Sequence, residues 1–286
     1  MHGIRKIGVI GGGTMGNGIA QVCAATGLEV VLRDLDQAAL DRALATMQAS
    51  LARQVRKGVI SEAEAGAALA RVTFTTDPGA MADRDIVIEA IVEKLAVKAS
   101  VIRELDAICR PEAILASNTS SISLTELAAA SARPGRVIGM HFFNPVPVMQ
   151  LVEIIRALQT TDEVAEAVTT LTLAIGKTPR VSKDSYGFIV NRLLAPQINE
   201  AINCVHEGLA TAGDIDSMMK LGANHPMGPL SLGDLIGLDV VLNIMETLYH
   251  GFDDPKYRPS PLLKQMVAAG YLGRKTGKGF AEYPAR

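Results

Sequence analysis

The chain has 286 residues, is 48% hydrophobic and carries a formal net charge of −2. That length can bury a full core and points to two domains, while the charge balance argues against a nucleic acid or an acidic membrane surface as partner. Cys23, Cys109 and Cys204 are widely spaced with no C-x-x-C pair, and no charged segment leads into a long apolar run at the N-terminus, so the expectation is a cytoplasmic protein with reduced thiols.

The first apolar run, with Ile7, Val9 and Ile10, reads as a strand that leads into Gly11-Gly12-Gly13-Thr14-Met15-Gly16. A small-residue helix from Thr14 to Thr26 follows, then a second strand over Leu28–Leu32. This is the fingerprint of a dinucleotide-binding βαβ unit. Gly11 allows the tight turn, Gly13 lets the backbone approach a pyrophosphate, and Gly16 lets helix pack closely on strand. The unpaired N–H groups at the helix start, around Thr14 and Met15, then face the phosphates. Asp34, 18 residues after Gly16, is placed to accept hydrogen bonds from the adenosine ribose hydroxyls, which favours NAD over NADP. Arg33 beside it leaves some NADP tolerance open.

In the second helix, Ser50, Arg53 and Lys57 are spaced three and four apart and share one face, flanked by Arg56. Such a stripe is ordinarily solvated surface; in an NAD enzyme it could also bind the phosphates of a nucleotide-bearing second substrate such as coenzyme A. Further strands are expected at Val72–Thr75, Asp85–Glu89, Ala113–Ser117, Arg136–His141, Leu151–Ile155 and Thr178–Val181. Capping-box spacings at Ser61/Glu64, Ser123/Glu126 and Thr160/Glu163 mark the helix starts between them. Alternating strands and helices imply an α/β Rossmann-type, doubly wound, mainly parallel sheet over residues 1–184. Strand patterns then stop, and residues 185–286 read as an all-helical C-terminal domain. Val190, Leu194, Ile198, Ala201 and Val205 trace an apolar stripe on its first helix. Exposed remnants of such faces commonly pair with a second copy, so a homodimer through the helical domain is expected.

His141 closes one predicted strand, at the end where open α/β sheets bind their ligands, and is the best general-base candidate. Glu153, 12 residues on, lies in the next strand among apolar neighbours. By alternation it shares a face with Leu151 and Ile155, which allows a solvated edge position. The alternative is an orienting partner that fixes the imidazole tautomer and favours imidazolium. Ser120, in the run Ser117-Asn118-Thr119-Ser120-Ser121, and Asn191 could complete the site, or merely cap and solvate. No histidine or cysteine has metal-ligand spacing, so no metal is expected.

With these motifs in hand, the chain resembles the L-3-hydroxyacyl-CoA dehydrogenases nearly end to end. The resemblance rests on residues 8–16, Glu89-Ala90-Ile91-Val92-Glu93, residues 117–121, His141-Phe142-Phe143-Asn144-Pro145 and Gly187-Phe188-Ile189-Val190-Asn191-Arg192. Further on it includes His225-Pro226-Met227-Gly228-Pro229 and Lys275-Thr276-Gly277-Lys278-Gly279-Phe280. It implies His141 as catalytic acid/base, Glu153 as its partner, and Ser120 and Asn191 as ligands of the substrate's reacting oxygen. It also implies an NAD site that includes Asp34, Glu93, Lys98, Ser120, Asn144 and Lys275, and coenzyme A contacts at Ser50 and Lys57. The expected reaction is NAD-dependent interconversion of a short 3-hydroxyacyl-CoA and its 3-oxo thioester. The rival expectation is a dehydrogenase of the same fold acting on a free hydroxy or sugar acid.

Overall fold

A computed structural model describes residues 3–284. Its contacts divide the chain between Ser185 and Tyr186 into two compact units.

The N-terminal unit runs β1 (Lys6–Ile10), α1 (Thr14–Ala25), β2 (Glu29–Arg33), α2 (Gln37–Arg56), α3 (Glu62–Ala70), β3 (Val72–Thr75), β4 (Ile86–Glu89), α4 (Leu95–Ile108) and β5 (Ile114–Ser117). It continues with α5 (Leu124–Ala129), β6 (Val137–Phe142), β7 (Leu151–Arg156), α6 (Asp162–Ala174) and β8 (Thr178–Lys183). All eight strands form one sheet in the order β3-β2-β1-β4-β5-β6-β7-β8. Only the β6/β7 pairing is antiparallel. The first six strands therefore have the doubly wound order whose direction of growth reverses between β1 and β4, and the ligand crevice of such a sheet opens there, beyond the carboxyl ends.

The inner strands are apolar runs because helices cover both faces, whereas the edge strand β8 is polar and part-exposed. Ile7, Val9, Val30, Leu32, Ile86 and Ile88 are fully buried, each worth about 1.5–3 kcal/mol of transfer free energy. Helix starts are fixed by side chains. Ser61 and Glu64 form a reciprocal capping box on α3, and Ser123 accepts from the Glu126 N–H on α5. The third expected cap is corrected by one residue. Thr161, not Thr160, caps α6 by accepting from the Val164 N–H, because the buried Thr160 hydroxyl is already donated to the Val137 carbonyl at 2.6 Å.

The C-terminal unit consists of α7 (Val190–His206), α8 (Ala212–Gly222), α9 (Pro229–Ile236), α10 (Leu238–Phe252) and α11 (Pro261–Ala268). Leu194, Ile198, Ala201 and Val205 pack into its core with Leu230, Leu238 and Leu263. Ala195, Asn199 and Ile202 are buried as well, so the buried face of α7 is wider than one stripe. Asn199 is tolerated there because its amide accepts from the Ser260 N–H at 2.8 Å and donates to the Arg258 carbonyl at 3.2 Å. Among the described residues, no helix is long and apolar enough to cross a membrane.

Candidate active site

The glycine turn is built by contacts that side chains would break. Gly11 has φ +107°, in the left-handed region that favours glycine, and its N–H donates to the Arg33 carbonyl at 2.8 Å. A Cβ on Gly16 would lie 1.9 Å from the Gly11 carbonyl oxygen. By contrast, nothing lies within 4 Å of a Cβ built on Gly13, whose outer side is open. Gly13 is also the N-cap of α1 and supplies no side-chain cap. The first-turn N–H groups near the exposed Thr14 and half-buried Met15 thus present an electropositive helix end to a crevice. A cleft of about 230 Å³ runs from this turn between α1 and α2, with Arg42 on its wall.

Asp34, just past β2, is held over the turn. Its Oδ2 accepts from the Gly12 N–H at 2.7 Å and its Oδ1 from the Asp36 N–H at 3.2 Å. Arg33 faces elsewhere. Its side chain is 7% exposed and its guanidinium pairs with Glu104 at 3.0 Å, which removes the reason to expect it to receive a 2′-phosphate.

At the end of β6, His141 lies directly opposite Glu153 of β7 in antiparallel register, so their side chains share a face. His141 Nδ1 and Glu153 Oε2 are 2.8 Å apart, and the residues are 6% and 3% exposed. The solvated edge position that alternation allowed for Glu153 is therefore wrong. The edge is β8, which covers β7 on its far side. With Nδ1 facing the carboxylate, the imidazole favours the tautomer that carries its proton on Nδ1. Phe143 packs on the imidazole with ring centroids 4.5 Å apart.

Between the glycine turn and this pair, the ends of β4 and β5 carry a closed polar ring. Glu89, the last residue of β4, is fully buried opposite Ser117, the last of β5. Its carboxylate accepts from Lys98 Nζ at 2.9 and 3.0 Å, from the Ile91 N–H at 3.3 Å and from the Ser117 hydroxyl. Ser117 Oγ in turn accepts from the Thr119 N–H at 3.1 Å. Glu93 closes the ring. It lies 3.2 Å from Lys98 and accepts from the Ser120 and Ser121 N–H groups at 2.9 and 3.1 Å and from the Thr119 hydroxyl. Burial works against its charge, but Lys98 and the Thr119 and Ser120 donors outweigh it and hold Glu93 below the usual carboxylate range. Lys98 is 1% exposed, so its ammonium acts through these two carboxylates.

Asn144 is exposed in the loop beyond β6. A buried ammonium braces that loop: Lys177 Nζ donates to the Val146 and Met149 carbonyls at 2.6 and 2.8 Å, and burial lowers its proton affinity. Asn118 fastens the strand end itself by accepting from the Phe142 N–H at 2.9 Å. Neither brace was read from the sequence; their only sequence signal is a polar residue bordering a predicted strand.

Ser50 and Arg53 lie on the last turns of α2 and Lys57 is its C-cap; Arg53 and Lys57 are exposed and Ser50 is half-buried. In the helical unit, Asn191 is the second residue of α7, and Lys275 donates to Asp239 at 2.6 Å. Among the described residues, no group of three or more His, Cys, Asp or Glu could hold a metal ion.

Residues 6–185 match the family model described as "3-hydroxyacyl-CoA dehydrogenase, NAD binding domain", and residues 187–283 match "3-hydroxyacyl-CoA dehydrogenase, C-terminal domain". The chain is 55% identical to a probable 3-hydroxybutyryl-CoA dehydrogenase of Deinococcus radiodurans, over 97% of this chain and 100% of that one. It is 43% identical to the human mitochondrial hydroxyacyl-coenzyme A dehydrogenase, over 98% of this chain and 91% of that one. Its backbone matches the crystal structure of (S)-3-hydroxybutyryl-CoA dehydrogenase from Ralstonia eutropha with a TM-score of 0.96 at 53% identity, covering 99% of this chain and all of that one.

Proposed function

The chain belongs to the 3-hydroxyacyl-CoA dehydrogenase family, and from that membership we propose that it interconverts a short 3-hydroxyacyl-CoA, 3-hydroxybutyryl-CoA above all, with its 3-oxoacyl-CoA. NAD is the proposed cofactor. The residues present fit it: an open Gly13 face, an uncapped helix start and the Asp34 carboxylate held beside the glycine turn are what a dinucleotide needs. When bound, the nicotinamide supplies the hydride acceptor or donor.

The observation that carries this reading is the buried His141–Glu153 pair at the carboxyl end of the sheet. In the oxidative direction His141 Nε2 takes the 3-hydroxyl proton as the carbon–hydrogen bond breaks and the carbonyl forms; in reduction it returns that proton to the oxygen. Glu153 stabilises the imidazolium formed meanwhile. Ser120, anchored by Glu93, donates to the oxygen where negative charge develops. Asn191 keeps the substrate-binding role that the resemblance implies.

The test is loss of NADH absorbance with acetoacetyl-CoA, with free acetoacetate and NADPH in parallel. Turnover is expected with the thioester and NADH; equal turnover of the free acid would sink the thioester assignment and favour the free hydroxy-acid reading.

The exposed face of α2 is proposed to bind the coenzyme A phosphates through Ser50, Arg53 and Lys57. Reversing two charges in Arg53→Glu/Lys57→Glu should raise KM for acetoacetyl-CoA about tenfold or more, the scale of a few charge-assisted hydrogen bonds, with kcat little changed. An unchanged KM would remove that face from the site.

A homodimer through the helical unit is also proposed, because Leu193, Leu209 and Leu221 there are 70%, 70% and 88% exposed. Light scattering that returned a monomer mass at micromolar concentration would refute it. The three cysteines are free, which supports a cytoplasmic setting.

A further inference from the structure

The polar ring at the ends of β4 and β5 holds more negative charge than its own stability calls for. One buried ammonium, Lys98, is fully matched by one buried carboxylate, Glu89, which contacts it through both oxygens. Glu93 adds a second carboxylate 3.2 Å from the same ammonium, with a side chain only 27% exposed. With both acids ionised the ring carries one formal negative charge in excess, held by Lys98 and by the Thr119, Ser120 and Ser121 donors around Glu93. Its position suggests what offsets it. The pyrophosphate belongs at the α1 N-terminus beyond β1, with the adenosine ribose at Asp34 beyond β2, and proton exchange occurs at His141 on β6. A dinucleotide laid across the strand ends must therefore place its nicotinamide beyond β4 and β5, over this ring. The oxidised nicotinamide is a cation and the reduced one is neutral.

We propose that Glu89, together with Lys98 and Ser117, is a positioning residue that makes the ring a net anion beneath the nicotinamide and thereby favours NAD⁺ over NADH at the site. Two effects follow. Glu89, which accepts from Ser117 and Lys98, holds the Lys98 ammonium that pairs with Glu93, and Glu93 in turn fixes the Ser120 backbone. The excess charge raises affinity for the cationic ring without touching it. The inference rests on the NAD reading above and goes beyond it, since the family fingerprint fixes where a dinucleotide lies and says nothing of which redox form is held more tightly.

Glu89→Gln tests it, because the near-isostere keeps the shape and removes the charge, at the cost of exchanging one acceptor oxygen beside Lys98 for an amide donor. Dissociation constants for NAD⁺ and NADH are measured by calorimetry on the purified full chain, with Ser117→Ala as the control that loses a ring hydrogen bond at constant charge. Glu89→Gln is expected to raise Kd for NAD⁺ about tenfold relative to Kd for NADH, as for one charge felt at roughly 10 Å through an effective dielectric of about 20. Ser117→Ala should leave the ratio of the two constants unchanged while lowering thermal stability. If Glu89→Gln raises both constants equally, or neither, the charge bias is overturned. A purely structural role would move Tm and not the ratio. Should Glu89→Gln fail to fold, Glu93→Gln removes one charge from the same ring, and an unchanged ratio there is equally fatal. Wild-type protein that binds neither form would instead overturn the dinucleotide reading beneath the proposal.

Discussion

His141→Ala is expected to lower kcat by about 10²–10⁴, the range for losing a positioned general acid/base, while the Kd for NADH stays near the wild-type value. The imidazole is poised for this role by geometry. Direct cross-strand register brings Glu153 to Nδ1 at 2.8 Å, and Nε2 is the nitrogen proposed to exchange a proton with the substrate oxygen. Truncation has a second consequence, because it takes the imidazole donor away from a carboxylate only 3% exposed, which lowers stability. His141→Gln separates the two effects. Its amide can still donate to Glu153 but cannot serve as a base at neutral pH, so it should reproduce the loss of kcat with a smaller fall in Tm. Turnover within a few-fold of wild type in either variant would remove His141 from the mechanism.

The sheet was legible because its signals are local. The inner strands are short apolar runs, the edge strand β8 (Thr-Pro-Arg-Val-Ser-Lys) is not, and each observed strand begins and ends within two residues of its reading. The glycine turn was legible for the same reason: Gly11, Gly13 and Gly16 are demanded by backbone geometry, which spacing alone reveals. The environment of Glu153 was not legible. Alternation fixes which residues share a face but not what lies beside them; the antiparallel register of β7 with β6 sets Glu153 against His141, where it is 3% exposed. Thr160 and Thr161 are indistinguishable as caps until the Val137 carbonyl claims one hydroxyl.

Side-chain charges were the least legible of all. Arg33 next to Asp34 looked available to a ribose phosphate, yet successive strand residues point to opposite faces, and Arg33 turns to Glu104. Glu89 entered the sequence reading only as the end of a strand and the start of the motif Glu89-Ala90-Ile91-Val92-Glu93, with no role of its own. Only the parallel register of β4 with β5, which sets Glu89 against Ser117, and the reach of Lys98 from α4 make it a fully buried acid. Lys98 was singled out through the resemblance alone; the structure places it 1% exposed, paired with Glu89 and Glu93.

Gly16→Ala is expected to abolish measurable NADH binding and to destabilise the N-terminal unit. The added Cβ would lie 1.9 Å from the Gly11 carbonyl oxygen and 3.3 Å from Val9 Cγ1. Neither neighbour yields cheaply: the first is backbone in a turn whose φ of +107° is already special, and Val9 is fully buried. Relief requires α1 to move away from β1, yet Gly16 to Ala24 of that helix are all buried. Forcing a methyl into such packing typically costs about 1–3 kcal/mol, occasionally more, a Tm fall of roughly 2–4 °C per kcal/mol for chains near this size. The functional loss should exceed the stability loss, since the same shift carries the first-turn N–H groups away from the Gly13 face where the pyrophosphate must approach. Gly13→Ala supplies the contrast: no atom lies within 4 Å of its Cβ, so it should fold with an unchanged Tm and weaken NADH binding by intruding on the ligand alone. A Gly16→Ala protein that keeps wild-type Tm and NADH affinity would mean that the turn does not constrain the helix as its geometry requires.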